Sequence, residues 1–256
     1  MLSIGVDHGN YNTKSSNGLI YPSGYVASAV PPVADPDVLE YGGTFYSIGA
    51  RRFAVQYDKC VDDTAQILTL PALGYAMQQA GLHESEFALG AGLPLAAYSS
   101  YQDAFQRYLM RSGLVFSWRG EEYTAHIKEV RVYPQGYAAY LSAFNQFSRY
   151  ESVTFLDIGG YTIDVFRIYR GRLEAGSTKS LLTGTIILLR RVVDELARLD
   201  IHIPEQQLAR AMAGGPIEHL RQAEATAVIR QAQASMCGIS PIPSGNSRLT
   251  RKRRSR

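Results

Sequence analysis

Two short stretches of the chain place chemically capable residues in the same order. "VDHGNYNTK", residues 6–14, carries Asp7, Gly9, Asn10, Tyr11, Asn12, Thr13 and Lys14; "LDIGGYTID", residues 156–164, carries Asp157, Gly159, Gly160, Tyr161, Thr162 and Asp164. In each, an aspartate sits two residues ahead of a glycine turn that leads to a threonine. Glycines let a turn approach a phosphate closely and aim its N–H groups at the oxygens, and a nearby carboxylate can hold magnesium through water. Lys14 adds a positive point charge suited to a phosphate oxygen. Either stretch alone is also ordinary turn chemistry. The pair, with a helix between them, points to phosphate.

The elements that carry these turns can be read from the pattern. Residues 2–7 form an apolar strand ending at the Asp-His-Gly-Asn turn, and "YNTKSS" returns beside it as a hairpin. "GLIYPSGYVA" and "EYGGTFYSIGA" add short strands, the latter turning at the glycines 42 and 43. Residues 61–80 have helical spacing, with Pro71 expected to kink or split the helix and Gly81 to stop it. "EFALGAGLPLAAY" reads as strand, loop and helix start, with Ser99 or Ser100 as the cap. A β pair turning at "RGEE" follows, and residues 135–149 carry Tyr137, Leu141, Phe144 and Phe147 along one amphipathic helix. At residue 152 the strand, glycine turn and outgoing strand recur. Three helices are expected after them, over 182–199, from Pro204 onward and over 217–236.

Composition bounds the class. The chain has 256 residues, 46% of them hydrophobic, enough for one large or two modest cores. No apolar run approaches the roughly 18 residues of a membrane span, and the start "MLSIGVDHGN" has no signal-peptide pattern, so the expectation is a cytoplasmic protein without membrane contact. Cys60 and Cys237 stand far apart without a metal-binding pattern. The net charge of +3 is uneven: the last nine residues, "RLTRKRRSR", hold six positive charges and no acid, so the rest carries −3. Only that tail could offer nucleic acid a dense positive charge, through non-specific phosphate contacts. Other features have plain readings. His8 reads as a solvent-facing turn residue, the 17 tyrosines and Trp118 as packing residues, and Asp164 as either a metal or nucleotide contact or a brace for its hairpin.

Taken together, "IGVDHGNYNTK" resembles the first phosphate motif of the actin, heat-shock-chaperone and sugar-kinase superfamily, and "FLDIGGYTIDVFRI" resembles the second. "VYPQGYAAYLSAF", residues 132–144, is similar to its first connecting helix. "GLPL" at 92–95 and "PQG" at 134–136 look most like the ParM/StbA plasmid-segregation actins. The resemblance implies an α/β, actin-like (ribonuclease H-like) fold of two domains, with mixed sheets flanked by helices and a nucleotide cleft between them. It would divide the chain into domain I at 1–150, an incomplete domain II at 151–238 and a disordered basic tail at 239–256. It implies ATP and Mg2+ as cofactors, with Asp7 and Asp157 holding hydrated metal. The turns at Gly9–Asn12 and Gly159–Thr162, with Thr13, Lys14 and Asp164, would clasp the phosphates, and Gln135 would orient the attacking water. The implied function is an ATPase that polymerises into filaments and moves plasmid DNA through a small DNA-binding adaptor at the plasmid centromere. A small-molecule kinase and a truncated non-catalytic copy are the alternatives. The superfamily's Gly-Gly-Gly adenine turn is not found; "AGGP" at 213–216 is a poor substitute because it follows a polar helix.

Overall fold

The computed structural model describes residues 1–33, 35–54, 58–174 and 176–236. Cys237 and the basic tail lie outside the described residues. The chain divides into two compact units, Met1–Ile186 and a second beginning at Ile187.

In the first unit the chain opens with β1 (Leu2–His8), β2 (Asn12–Ser15) and β3 (Ile20–Pro22), then β4 (Tyr25–Ser28), β5 (Val38–Tyr41) and β6 (Thr44–Ile48). Helix α1 (Thr64–Ala80), β7 (Glu84–Leu93), α2 (Leu95–Leu109), β8 (Leu114–Trp118) and β9 (Glu121–Pro134) follow. The nine strands form one sheet in the order β3-β2-β1-β7-β9-β8-β5-β6-β4. β1, β7 and β9 run parallel to one another, and the remaining pairs are antiparallel. Strand alternation sorts the two faces of β1. Ile4, Val6 and His8 are buried, packed with Leu89 and Ala91 of β7 in a core that also takes Leu70, Leu73 and Met77 of α1 and Phe105 and Leu109 of α2. Gly5 and Asp7 therefore point to the opposite face.

The second sheet of this unit is smaller. Short helices α3 (Tyr137–Ser142) and α4 (Phe144–Phe147) lead to β10 (Ser152–Ile158), β11 (Ile163–Tyr169), β12 (Arg172–Leu173) and β13 (Lys179–Leu181). β10 pairs antiparallel with β11, which also pairs with β12 and β13. An aromatic cluster seats the helices on the sheet: Tyr140 meets Phe155 edge-on at 5.6 Å, and Phe155 stacks on Phe166 at 5.2 Å. The second unit takes most of α5 (Thr185–Arg198), with α6 (Glu205–Met212) and α7 (Gln222–Met236), around Leu189, Val192, Leu196, Leu208 and Ile229. Among the described residues no helix is long and apolar enough to cross a membrane.

Several local expectations change. α1 runs unbroken through Pro71, because its lost N–H removes one helical bond while Leu70, Ala72 and Leu73 beside it are fully buried. α2 starts directly after Pro94, so Ser99 and Ser100 lie inside the helix rather than at its cap. The helix expected over 135–149 is interrupted at Ala143, with Leu141 and Phe144 exposed, because its apolar residues do not all face one partner. "AGGP" ends α6: the N–H groups of Gly214 and Gly215 return to the carbonyls of Ala211 and Arg210, so these glycines stop a helix.

Candidate functional site

The two glycine hairpins face each other across a cavity of about 800 Å³ in the first unit. Asp7 and Lys14 are cross-strand partners at the mouth of the first hairpin, and Asp157 and Asp164 are partners in the second. The cavity is lined by Asp7, Gly9, Asn10, Tyr11, Asn12 and Lys14 from one side and by Asp157, Gly159, Gly160, Tyr161, Thr162 and Asp164 from the other, with Gln135 between. Of the residues expected at the site, Thr13 alone does not line it. Alternation along β2 turns Thr13 inward, fully buried, where its hydroxyl meets that of Ser23 at 3.0 Å. His8 is not solvent-facing either. It is 3% exposed, bonds the Thr69 hydroxyl at 2.8 Å and meets the Phe105 ring edge-on.

Gln135 reaches the centre of the site because the backbone gives it room. Its N–H donates to the Leu93 carbonyl at 2.8 Å, and its side chain lies across Gly92, where an added Cβ would stand 2.9 Å from the Gln135 Cγ. Gly136 follows with φ +77°, a left-handed turn that starts α3, and a Cβ there would strike Phe166 at 2.5 Å. The Gln135 amide then donates to the Asp7 carboxylate. The second turn is held from behind: the N–H groups of Thr185 and Ile186 donate to the carbonyls of Gly159 and Gly160 at 3.0 and 2.7 Å. The hairpin tips touch, since a Cβ on Gly160 would lie 2.8 Å from the Tyr11 Cβ.

The electrostatics are those of a site short of positive charge. Burial raises the Asp7 carboxyl above its ordinary value, against the pull of Lys14, the Gln135 amide and Lys59. Asp157 is raised as well, by burial first and then by the negative charges of Asp164 and Asp7. Asp164 accepts hydrogen bonds from Ser180 and, at 3.3 Å, from Thr162, which braces its hairpin. No cluster of three or more metal-ligating side chains occurs among the described residues. Two facing carboxylates fit a magnesium ion that keeps most of its water and takes further oxygens from phosphate; they do not make a full protein cage.

Two cations absent from the sequence expectations stand behind the first hairpin. The Lys59 ammonium, 8% exposed, donates to the Asn10 side chain at 3.0 Å, and burial pushes its pKa down to about 8. The Arg52 guanidinium lies 4.0 Å over the Tyr11 ring and donates from Nε to the Tyr11 carbonyl at 3.3 Å. No motif marks either residue; only the folded loop brings them to the turn.

Residues 5–137 match the family described as actin like proteins, N terminal domain. No curated protein matches the chain. Among solved structures it is similar to the archaeal actin homolog Ta0583 in complex with ADP, at 21% identity and TM-score 0.71 over 93% of this chain and 80% of that one. A ParM filament from Clostridium botulinum is similar at 17% identity and TM-score 0.69, over 92% and 81%. AlfA from a B. subtilis plasmid, also solved as a filament, gives 18% identity and TM-score 0.57, over 77% and 78%. At these identities the structures speak for a shared fold, and the matched family covers just over half of the sequence. The chain belongs to the actin-like proteins.

Proposed function

We propose that the protein is an ATPase that binds Mg-ATP between its two glycine hairpins, assembles into filaments in the cytoplasm and serves plasmid DNA segregation through a small DNA-binding adaptor. The observation that carries this reading is the convergence of Asp7, Gln135 and Asp157 on one cavity, with a glycine turn on either side. The ADP in the archaeal homolog and the filaments of ParM and AlfA support it. In this reading, 1–150 and 151–238 are the two actin-like domains.

Magnesium, held through water by Asp7 and Asp157, would neutralise charge on the phosphates. The chain's own residues do the positioning. Backbone N–H groups of the two turns and the Lys14 ammonium bind phosphate oxygens, and the Gln135 amide, tethered through its Nε2 to Asp7, uses its oxygen to hold a water for attack. A glutamine cannot take up the proton of that water at neutral pH, so turnover is slow. Slow hydrolysis suits an assembly that must persist before it dissolves.

The test is sedimentation of the purified full chain with Mg-ATP, Mg-ADP and no nucleotide. Pelleting that depends on ATP supports the reading. A folded protein whose sedimentation and melting temperature ignore ATP overturns it, because a ligand bound only by the native state must raise the melting temperature.

A further inference from the structure

The described residues of the loop between β6 and α1 do not line the cavity, yet two of them hold both residues at the tip of the first hairpin. Arg52 grips Tyr11 by ring face and carbonyl, and Lys59 grips the neighbouring Asn10. Lys59 lines a small space of about 20 Å³ together with His8, Gly9, Asn10 and Ser23, beside the turn. Removing an ammonium from water costs several kcal/mol unless negative charge stands nearby. The negative charge that acts on Lys59 is Asp7, on the cavity-facing side of β1. Through Tyr11, whose Cβ abuts Gly160, the grip of Arg52 also reaches the second hairpin.

We propose that Arg52 and Lys59 are positioning residues that lock the first hairpin in its phosphate-facing shape and make affinity rise with ligand charge, without touching the ligand. This rests on the reading of the cavity as a polyphosphate site. A buried cation behind the turn acts on charge in the cavity through space, so its effect grows from nucleoside to diphosphate to triphosphate. The paired grip on Asn10 and Tyr11 fixes the direction of the turn's N–H groups, which a mobile tip would scatter.

The experiment uses the full chain with Lys59→Met, Lys59→Arg, Arg52→Met and Arg52→Lys. Amide hydrogen exchange of residues 9–14 is followed without nucleotide, and dissociation constants are measured for ATP, ADP and adenosine with magnesium. The expected result is faster exchange in 9–14 for both Met variants and a loss of about tenfold or more for ATP, the scale of a hydrogen bond to a charged group. The loss is smaller for ADP and absent for adenosine, and Lys59→Arg and Arg52→Lys recover part of the ATP preference. Unchanged exchange, or an equal loss for all three ligands, overturns the proposal. If the wild type binds none of them while the Met variants still loosen 9–14, the brace stands and the nucleotide reading falls. If the wild type binds ATP and the variants change neither exchange nor ligand ranking, the nucleotide reading stands and the brace falls.

Discussion

His8 shows how burial beside the site governs acid stability. Its ring is 3% exposed, its Nε2 meets the Thr69 hydroxyl, and its Nδ1 has no hydrogen-bond partner among the described residues. Burial, helped by the positive Lys59, lowers its pKa from 6.5 to about 3. Between those values the unfolded chain binds one more proton than the folded one, so stability is full above about pH 6.5 and falls as pH drops toward 3. The slope is about 1.4 kcal/mol per pH unit, which makes about 2 kcal/mol by pH 5 and about 5 kcal/mol over the whole window. That total matches the lower end of the stability of a typical domain, about 5 kcal/mol. His8→Phe removes the titrating group while keeping a ring against Phe105, and Thr69 keeps its bond to the Ala65 carbonyl at 2.7 Å. The assay is denaturant unfolding of both proteins in EDTA at pH 7.5, 6.5, 5.5 and 5.0. Groups common to both cancel in the difference, so the variant should gain on the wild type by about 1.4 kcal/mol for each pH unit below 6.5. Parallel pH profiles would mean that His8 is protonated at no cost in the folded state, and the argument from burial would fail.

Gly92→Ala places a Cβ against the Gln135 Cγ and displaces the amide from Asp7, so ATP turnover should drop about 10- to 100-fold with little change in KM, as steady-state kinetics would show. In Gly74→Ala, helix propensity favours the variant by about 1 kcal/mol, but the new Cβ would stand 2.9 Å from the Trp118 Cβ and 3.1 Å from Phe116. Overpacking of about 1–3 kcal/mol should win, lowering the unfolding midpoint; a raised midpoint would show that β8 yields easily. Asp7→Asn removes a carboxylate whose raised pKa makes its ionised form destabilising as pH rises above 3.8, so the metal-free variant should melt higher than wild type at pH 7, with the gain lost in acid. The same variant should lose the thermal shift that magnesium adds to ATP. Chelating magnesium should weaken ATP stabilisation of the wild type in the same thermal scan.

Both glycine hairpins were legible because strand, acid and turn residue are written side by side, so local chemistry and local structure coincide. The two-residue hairpin turns at 42–43 and 119–120 were legible for the same reason. Reading failed where a residue's role depends on distant neighbours. His8 and Thr13 look like turn residues in the text, but alternation along β1 and β2 sends them toward α1 and Ser23. Pro71 looks like a break, yet the helix around it is held by burial against the large sheet.

The sequence by itself determined that the chain carries two acid-and-glycine turns on hairpins and a glutamine between them, because those signals need only a few adjacent residues. Only the tertiary structure decided that the turns face one cavity, that Gln135 bonds Asp7 across 128 positions of chain, and that Arg52 and Lys59 stand behind the first hairpin. Those facts rest on the pairing of β1 with β7 and of β7 with β9, and on the seating of the second sheet against α3. Long-range packing sets them, and no local run of residues encodes them.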